Sequence, residues 1–310
     1  MTDKKSGDMS GGDTSSSPGK AIGSTPLRKD GDNSLSSLDH RILENAIRGR
    51  VPGLIGAGQT KFSARPDSHG MPPELDTRLH PELDPVARQL PGTEKAVTYR
   101  DMFMQSLVDP DPRRNRDMIS ELQRSGIPMH TLAIQLFAPV AARLGTLWCD
   151  DDADFLQVAV ASMRLGMIIN HLSHVSERAV PNREKERRVL LARTRGAMHT
   201  IGVAIVASCF RDMGWVVDGG LDIELDDDLY MRLSSTPYHL LGISVGRVDE
   251  VAECSEAIGR IHSSRKTTGM KIAVGGPAVN MYPEAFAGIG ADIVARSALV
   301  VMQFADRIAS

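Results

Sequence analysis

A histidine followed three residues later by a glycine, His199-x-x-Gly202, stands where an apolar run gives way to a helical pattern. An imidazole on such a loop can coordinate a metal or move a proton near neutral pH. Downstream, Ser244 closes the run Leu240-Leu241-Gly242-Ile243-Ser244, with Gly246 two residues on, and Gly275-Gly276 follows Lys271-Ile272-Ala273-Val274. Singly, each has a plain explanation. A loop histidine is commonly a solvated or capping residue, and Gly and Ser recur where strands end because the chain turns there. Three consecutive strands that all end in small or ligating residues fit that explanation less well. Together they describe a site at one sheet edge, with an imidazole to bind, a hydroxyl to hydrogen-bond, and bare backbone that lets a ligand lie close.

A parallel sheet is needed to line these residues up. Val189-Leu190-Leu191-Ala192 is a continuous apolar run, as a strand buried on both faces requires. Arg193 to Ala197 then turns. Ile201, Ala204, Ile205, Cys209 and Met213 mark one face of a helix over Thr200–Met213. Trp215-Val216-Val217 is the second strand, with Gly219-Gly220 as a turn behind it. A short helix (Leu225–Leu233), the third strand, a longer helix (Asp249–Arg265) and the fourth strand follow. A helix at Tyr282–Gly288, a fifth strand (Ala291–Val294) and a closing helix (Ser297–Ile308) complete the pattern. Five strands alternating with helices predict a doubly wound, Rossmann-like α/β domain over 187–310. In such sheets ligands bind at the carboxyl ends of the strands.

The motif His199-x-x-Gly202, Ser244-x-Gly246, Gly275-Gly276 resembles the cobalamin-binding signature Asp-x-His-x-x-Gly, Ser-x-Leu, Gly-Gly. The intervals also match, with 41 residues (203–243) between Gly202 and Ser244 and 28 (247–274) between Gly246 and Gly275. The resemblance implies a flavodoxin-like strand order. It implies that His199 is the lower axial ligand to cobalt, and that Ser244, Gly246, Gly275 and Gly276 line a slot for the displaced benzimidazole tail. Two positions depart. The signature's Asp, which hydrogen-bonds the other imidazole nitrogen and tunes the metal, is Ala197, and its Leu is Gly246. The missing Asp argues against organometallic catalysis and for a chain that is not an enzyme.

Ahead of the sheet, residues 95–180 read as helical throughout. Thr98–Val108, Asn115–Ser125, Met129–Leu147 and Ala153–Arg178 are separated by Asp109-Pro110-Asp111-Pro112, Gly126-Ile127-Pro128 and acidic turns. Four such helices fit an antiparallel four-helix bundle, and Pro139 is set to kink the third. Residues 1–94 form a head and linker: Met1–Asn33 has too little to bury and is expected to be disordered, and 37–51 carries one amphipathic helix. Asn182–Arg188 is a solvated connector into the sheet. Net charge is −3, from 36 basic and 39 acidic residues, so no strong field selects nucleic acid or membrane. Three widely spaced cysteines, Cys149, Cys209 and Cys254, make no disulfide framework. With no apolar run near the ~18 residues of a span and no apolar core at the amino end, the chain is expected to be cytoplasmic.

Leu144-Gly145-Thr146-Leu147-Trp148 ends the third helix. In that position it resembles the helical cap of cobalamin photoreceptors and corrinoid proteins, which implies that Trp148 covers the upper corrin face. The light-sensing relatives carry a His after this Trp and a later Glu-His pair; here those positions are Cys149, Val158 and Ala159. His130, His171, His174 and His40 are then the candidates for an upper ligand. With its long polar head, the lost Asp and no attached DNA-binding domain, the chain resembles the AerR/PpaA group of photosynthesis antirepressors, related to the haem-binding module of AppA. The resemblance spans roughly residues 95–310. It implies a cobalamin-binding sensor, responsive to light or redox state, that contacts a repressor of photosynthesis and tetrapyrrole genes. Direct sequence-specific DNA binding and membrane contact are not expected, and copies of the chain could associate through an apolar bundle face. Two alternatives stand beside it. One is a haem sensor of the same fold, since haem iron also takes a single proximal His. The other is a corrinoid carrier in methyl transfer.

Overall fold

The computed structural model describes residues 76–149, 155–177, 187–198 and 200–309. The amphipathic helix expected at 37–51 and the polar head lie outside them, as does His199. The first described α-helix, α1 (Pro85–Arg88), is capped by Asp84, whose carboxylate accepts the N–H groups of Val86 and Ala87 at 2.8 and 3.2 Å. Next come α2 (Thr93–Thr98), α3 (Arg100–Val108) and α4 (Pro112–Arg124). The last starts from an Asp111 cap with Pro112 at its first position, where a missing N–H costs nothing.

The third long helix is α5 (Met129–Leu132), a π-helical turn (Ala133–Phe137) and α6 (Ala138–Cys149) in succession. The kink expected at Pro139 takes this form. Proline has no N–H for the carbonyl of Gln135, four residues back. The turn widens ahead of it, and Arg100 Nε donates to that carbonyl at 2.7 Å. The same guanidinium grips both carboxylate oxygens of Glu82, at 3.0 and 2.6 Å. The long α7 (Phe155–Glu177) closes the helical region. No helix among the described residues is long and apolar enough to cross a membrane.

The remainder alternates strand and helix: β1 (Arg188–Arg193), α8 (Ile201–Asp212), β2 (Val216–Glu224), α9 (Asp227–Ser235), β3 (Leu240–Ser244), α10 (Val251–His262), β4 (Lys271–Gly275), α11 (Pro277–Met281), β5 (Ile293–Val294) and α12 (Ala298–Ala309). All pairs are parallel, and the strands lie in the order β2-β1-β3-β4-β5, the flavodoxin-like arrangement. Alternation along the strands feeds two cores. Leu190, Leu241, Ile243, Ile272 and Val274 point toward α9 and α10. Val189, Leu191, Leu240 and Ala273 point toward α8 and α12. The outer side of α8 and α12 is buried in turn, with Ile205, Cys209, Leu299 and Met302 sharing one cluster with Phe137, Leu165 and Ile169 of the helical region. Each such buried aliphatic side chain contributes about 1.5–3 kcal/mol, so α8 is fixed on both flanks.

Three local features differ from the sequence reading. Gly219-Gly220 does not end β2; the strand runs on to Glu224 through a bulge. Leu191 pairs with Gly219 but Arg193 with Glu224, which gives β2 three extra residues across that step. Gly219 has φ +74, and a Cβ there would overlap the Leu191 carbonyl. The helix expected at Tyr282–Gly288 is only a 3-10 turn, Pro283–Phe286. The α-helix of this region, α11, starts directly behind Gly276 with Pro277 in its first turn.

Candidate functional site

Strand register sets the site. Arg193 of β1 is level with Ser244 of β3, which is level with Gly275 of β4, so the three chain ends leave the sheet in one row. The main chain ties the loops behind them: Thr194 N donates to the Ser244 carbonyl at 3.2 Å, and Val245 N to that of Gly275 at 2.8 Å. Ser244 is half-buried, and its hydroxyl has no hydrogen-bond partner among the described residues. Gly276, at φ +112, lets the β4 turn close onto the β3 loop; a Cβ there would overlap the Val245 carbonyl and come within 3.0 Å of Ser244 Oγ. Gly246 is buried in the β3 loop, its N–H bound to Glu250 Oε2 at 3.0 Å. Gly202 sits in the first turn of α8, exposed, with nothing within 4 Å of where a Cβ would stand. The structure thus gathers Gly202, Ser244, Gly246, Gly275 and Gly276 on one sheet edge. His199 belongs to the loop between β1 and α8 but lies outside the described residues.

The loop into α8 is held by groups the sequence reading did not single out. Arg193 Nη1 donates to the carbonyl of Ala197, the position of the signature's Asp, and Nη2 pairs with Glu224 Oε1 at 2.7 Å. Glu224 Oε2 accepts the N–H of Gly196 at 3.2 Å. Thr194 Oγ1 donates to Glu250 Oε2 at 2.5 Å, and that oxygen also accepts the N–H groups of Gly246 and Arg247. Nothing local betrays the Arg193–Glu224 pair, because it forms across neighbouring strands and only the bulge in β2 makes it face to face. Glu250 had one visible signal, its place three residues after Arg247 at the start of a helix, where a carboxylate caps free N–H groups.

Trp148 is carried by the end of α6, and its side chain is outside the described set. His130 fixes the level of that helix: its Nδ1 lies 2.5 Å from Asp212 Oδ2, the last residue of α8, and its backbone N–H donates to the same oxygen at 3.0 Å. From this anchor α5, the π turn and α6 pack along α8. The Asp212 end of α8 adjoins the three described histidines of the helical region that the sequence offered as upper ligands. His130 is engaged there by Asp212, and His171 and His174 flank Ser173, whose hydroxyl accepts from Arg211 Nη1 at 3.4 Å. These three lie toward the end of α8 away from the carboxyl edge; His40 is outside the described residues.

Among the described residues, no three His, Cys, Asp or Glu side chains converge as a metal cage. Burial pushes the thiols of Cys209 and Cys254 up to about 12, so neither offers a thiolate at neutral pH. The edge instead provides an unpartnered hydroxyl, bare backbone at Gly202, and glycine-built walls behind β3 and β4. That set offers an organic group one hydroxyl and bare backbone to lie against.

Comparison with known proteins agrees. Residues 187–301 match the family model of the B12 binding domain. The chain is 29% identical over 188 residues to an uncharacterized 20.5 kDa protein in the bchF-crtJ intergenic region of Rhodobacter capsulatus, covering 60% of this chain and 97% of that one. Its fold is similar to that of the Methanosarcina barkeri monomethylamine corrinoid protein, with a TM-score of 0.55 at 16% identity over 70% of this chain and 99% of that one. The row of chain ends at the carboxyl edge lies within the stretch that matches the B12 binding domain, and the cofactor this supports is cobalamin.

Proposed function

We propose that the chain is a cobalamin-binding sensory regulator, an antirepressor that contacts a repressor of photosynthesis and tetrapyrrole genes and responds to light or redox state. The observation that carries this reading is the pairing of a B12 binding domain with a relative encoded within a photosynthesis gene cluster, matched over nearly its whole length. Cobalamin, when bound, would supply a metal centre with an exchangeable ligand. His199 would be its protein ligand. Ser244 would donate its hydroxyl to the cofactor's tail, Gly246, Gly275 and Gly276 would leave room for it, and Gly202 would leave clearance at the start of α8. Trp148, near the end of α6, would shield the site from water.

The signal leaves the site through α8. One end of this helix adjoins the ligand loop, the other is fastened to His130, and its outer side shares a core with α5, α6 and α7. A cofactor state that favours one packing of the helical region shifts the population by its differential affinity for the two packings. The test is an absorption spectrum of the purified chain after adding hydroxocobalamin or haemin in separate tubes and desalting, with His199→Ala alongside. The reading requires a retained corrin spectrum that changes in His199→Ala; a Soret band without retained corrin refutes it. The fold shared with a corrinoid protein favours a second reading, a carrier in methyl transfer. It predicts methylation of the bound cobalt by a partner methyltransferase rather than co-purification with a repressor.

A further inference from the structure

The signature's Asp positions the metal-binding imidazole through its side chain, and Ala197 cannot do this. The structure grips the same stretch by its main chain instead. The carboxylate of Glu224 holds the N–H of Gly196, and the guanidinium of Arg193 holds the carbonyl of Ala197, while Arg193 and Glu224 are paired at 2.7 Å. The two polar ends of one short segment are thus clamped by the two ends of one ion pair. The pair is mostly shielded, with side-chain exposures of 17% and 27%, and its bonds are charge-assisted. The β2 bulge exists at the step that sets Glu224 opposite Arg193, in keeping with bulges that re-aim a side chain beside a site. A third group extends the clamp: Glu250 Oε2 joins the hydroxyl of Thr194, behind β1, to the N–H groups of Gly246 and Arg247, behind β3. Arg193 Nε is buried without a partner, an orphan donor that a pair selected for stability alone would avoid.

We propose that Arg193, Glu224 and Glu250 are positioning residues for the cobalamin site. Arg193 and Glu224 fix the approach to His199 in place of a side-chain carboxylate at position 197, and Glu250 fixes the spacing between that loop and the tail slot. The inference rests on the reading of His199 as lower axial ligand. It departs from the signature in one consequence: the stretch ahead of His199 is held by its main chain, so the role does not call for a carboxylate at position 197.

The test uses the full chain, labelled with 15N-histidine and titrated with hydroxocobalamin, and electron paramagnetic resonance of the reduced Co(II) form, in which a bound histidine 15N splits the cobalt lines into doublets and the cofactor's own 14N base would split them into triplets; the splitting followed is the doublet. Wild type is compared with Arg193→Met, Arg193→Lys, Glu224→Gln, Glu250→Gln and His199→Ala. Loss of a group that orients a metal ligand weakens binding about 10- to 100-fold. Arg193→Met and Glu224→Gln should each reach that range with a diminished nitrogen splitting, and the double variant should be no worse than either single, because the two act as one unit. Arg193→Lys should recover part of the splitting, which a general loss of stability would not allow. Glu250→Gln should weaken binding while the splitting persists. If Arg193→Met does not fold, the near-isosteric Glu224→Gln carries the test. Wild-type affinity and splitting in these variants, alongside a lost splitting in His199→Ala, would overturn the clamp and leave the ligand assignment standing. An unchanged splitting in His199→Ala would overturn both.

Discussion

Gly202→Ala should move stability and cofactor binding in opposite directions. Gly202 lies in the first turn of α8 with open space where a Cβ would stand, and its φ is not in the left-handed range. An added methyl therefore meets no protein atom. Glycine inside a helix is worse than alanine by roughly 0.5–1 kcal/mol, largely through the freedom it has when unfolded. The first turn realises the lower part of that range, so apoprotein stability should rise by about 0.5 kcal/mol. At roughly 2–4 °C per kcal/mol for a folded unit of this size, Tm should rise by about 1–2 °C. If the bare backbone at Gly202 is where the corrin edge lies, the same methyl intrudes on it and cobalamin retention should fall. Differential scanning calorimetry of the apoprotein and a hydroxocobalamin titration measure the two halves. Retention at wild-type strength would mean that the start of α8 does not face the cofactor. A loss of apoprotein stability would mean that the space around Gly202 is not open.

Other positions make equally direct tests. Gly276→Ala requires a side chain at φ +112 and drives its Cβ into the Val245 carbonyl, so urea unfolding should register a loss of about 1–3 kcal/mol from backbone strain alone, and more if the β3 loop cannot give way. Asp212→Ala removes both bonds to His130 and should cost about 1.5–3 kcal/mol, the range for hydrogen bonds to a charged group; an unchanged urea midpoint would show that the link between α5 and α8 carries no stability. Burial acts to raise the Glu82 carboxyl, but the hydrogen bonds from Arg100 outweigh it and hold its pKa below the ordinary 4.5. A depressed pKa contributes stability at higher pH and loses it as pH falls through the folded value. The Tm difference between wild type and Glu82→Gln should therefore be constant near neutrality and shrink below about pH 4.5; a difference that grows with acid would reverse the sign of the argument. Cys209 and Cys254, buried with thiols pushed up to about 12, should resist iodoacetamide at pH 8 until the chain is unfolded, as read by peptide mass mapping.

What the sequence made legible follows from the range of the forces involved. β3 was readable to the residue, because a strand buried on both faces is a contiguous apolar run and Leu240–Ser244 is one. The turn of α5 into α6 was half readable: Pro139 announces a defect, but its π form depends on Arg100, a residue from another helix, taking the freed Gln135 carbonyl. β2 was cut short because glycine pairs signal turns, and only the neighbouring strand reveals that Gly219 is a bulge packed against Leu191. The site divides the same way. Ser244, Gly275 and Gly276 were found from spacing, because strand ends at matched intervals must emerge together from a parallel sheet. Arg193 and Glu224 were invisible, since a charged residue at a strand end looks like any solvated charge until the register supplies its partner, and Glu250 showed only its capping position three residues after Arg247. The loss of the signature's Asp read from sequence as the loss of a group that tunes the metal, and so as an argument against organometallic catalysis. In the fold, Ala197 lies under a guanidinium whose carboxylate partner holds the adjacent N–H. A carboxylate absent at position 197 thus stands at the end of β2, where Glu224 holds the loop ahead of α8 through its backbone.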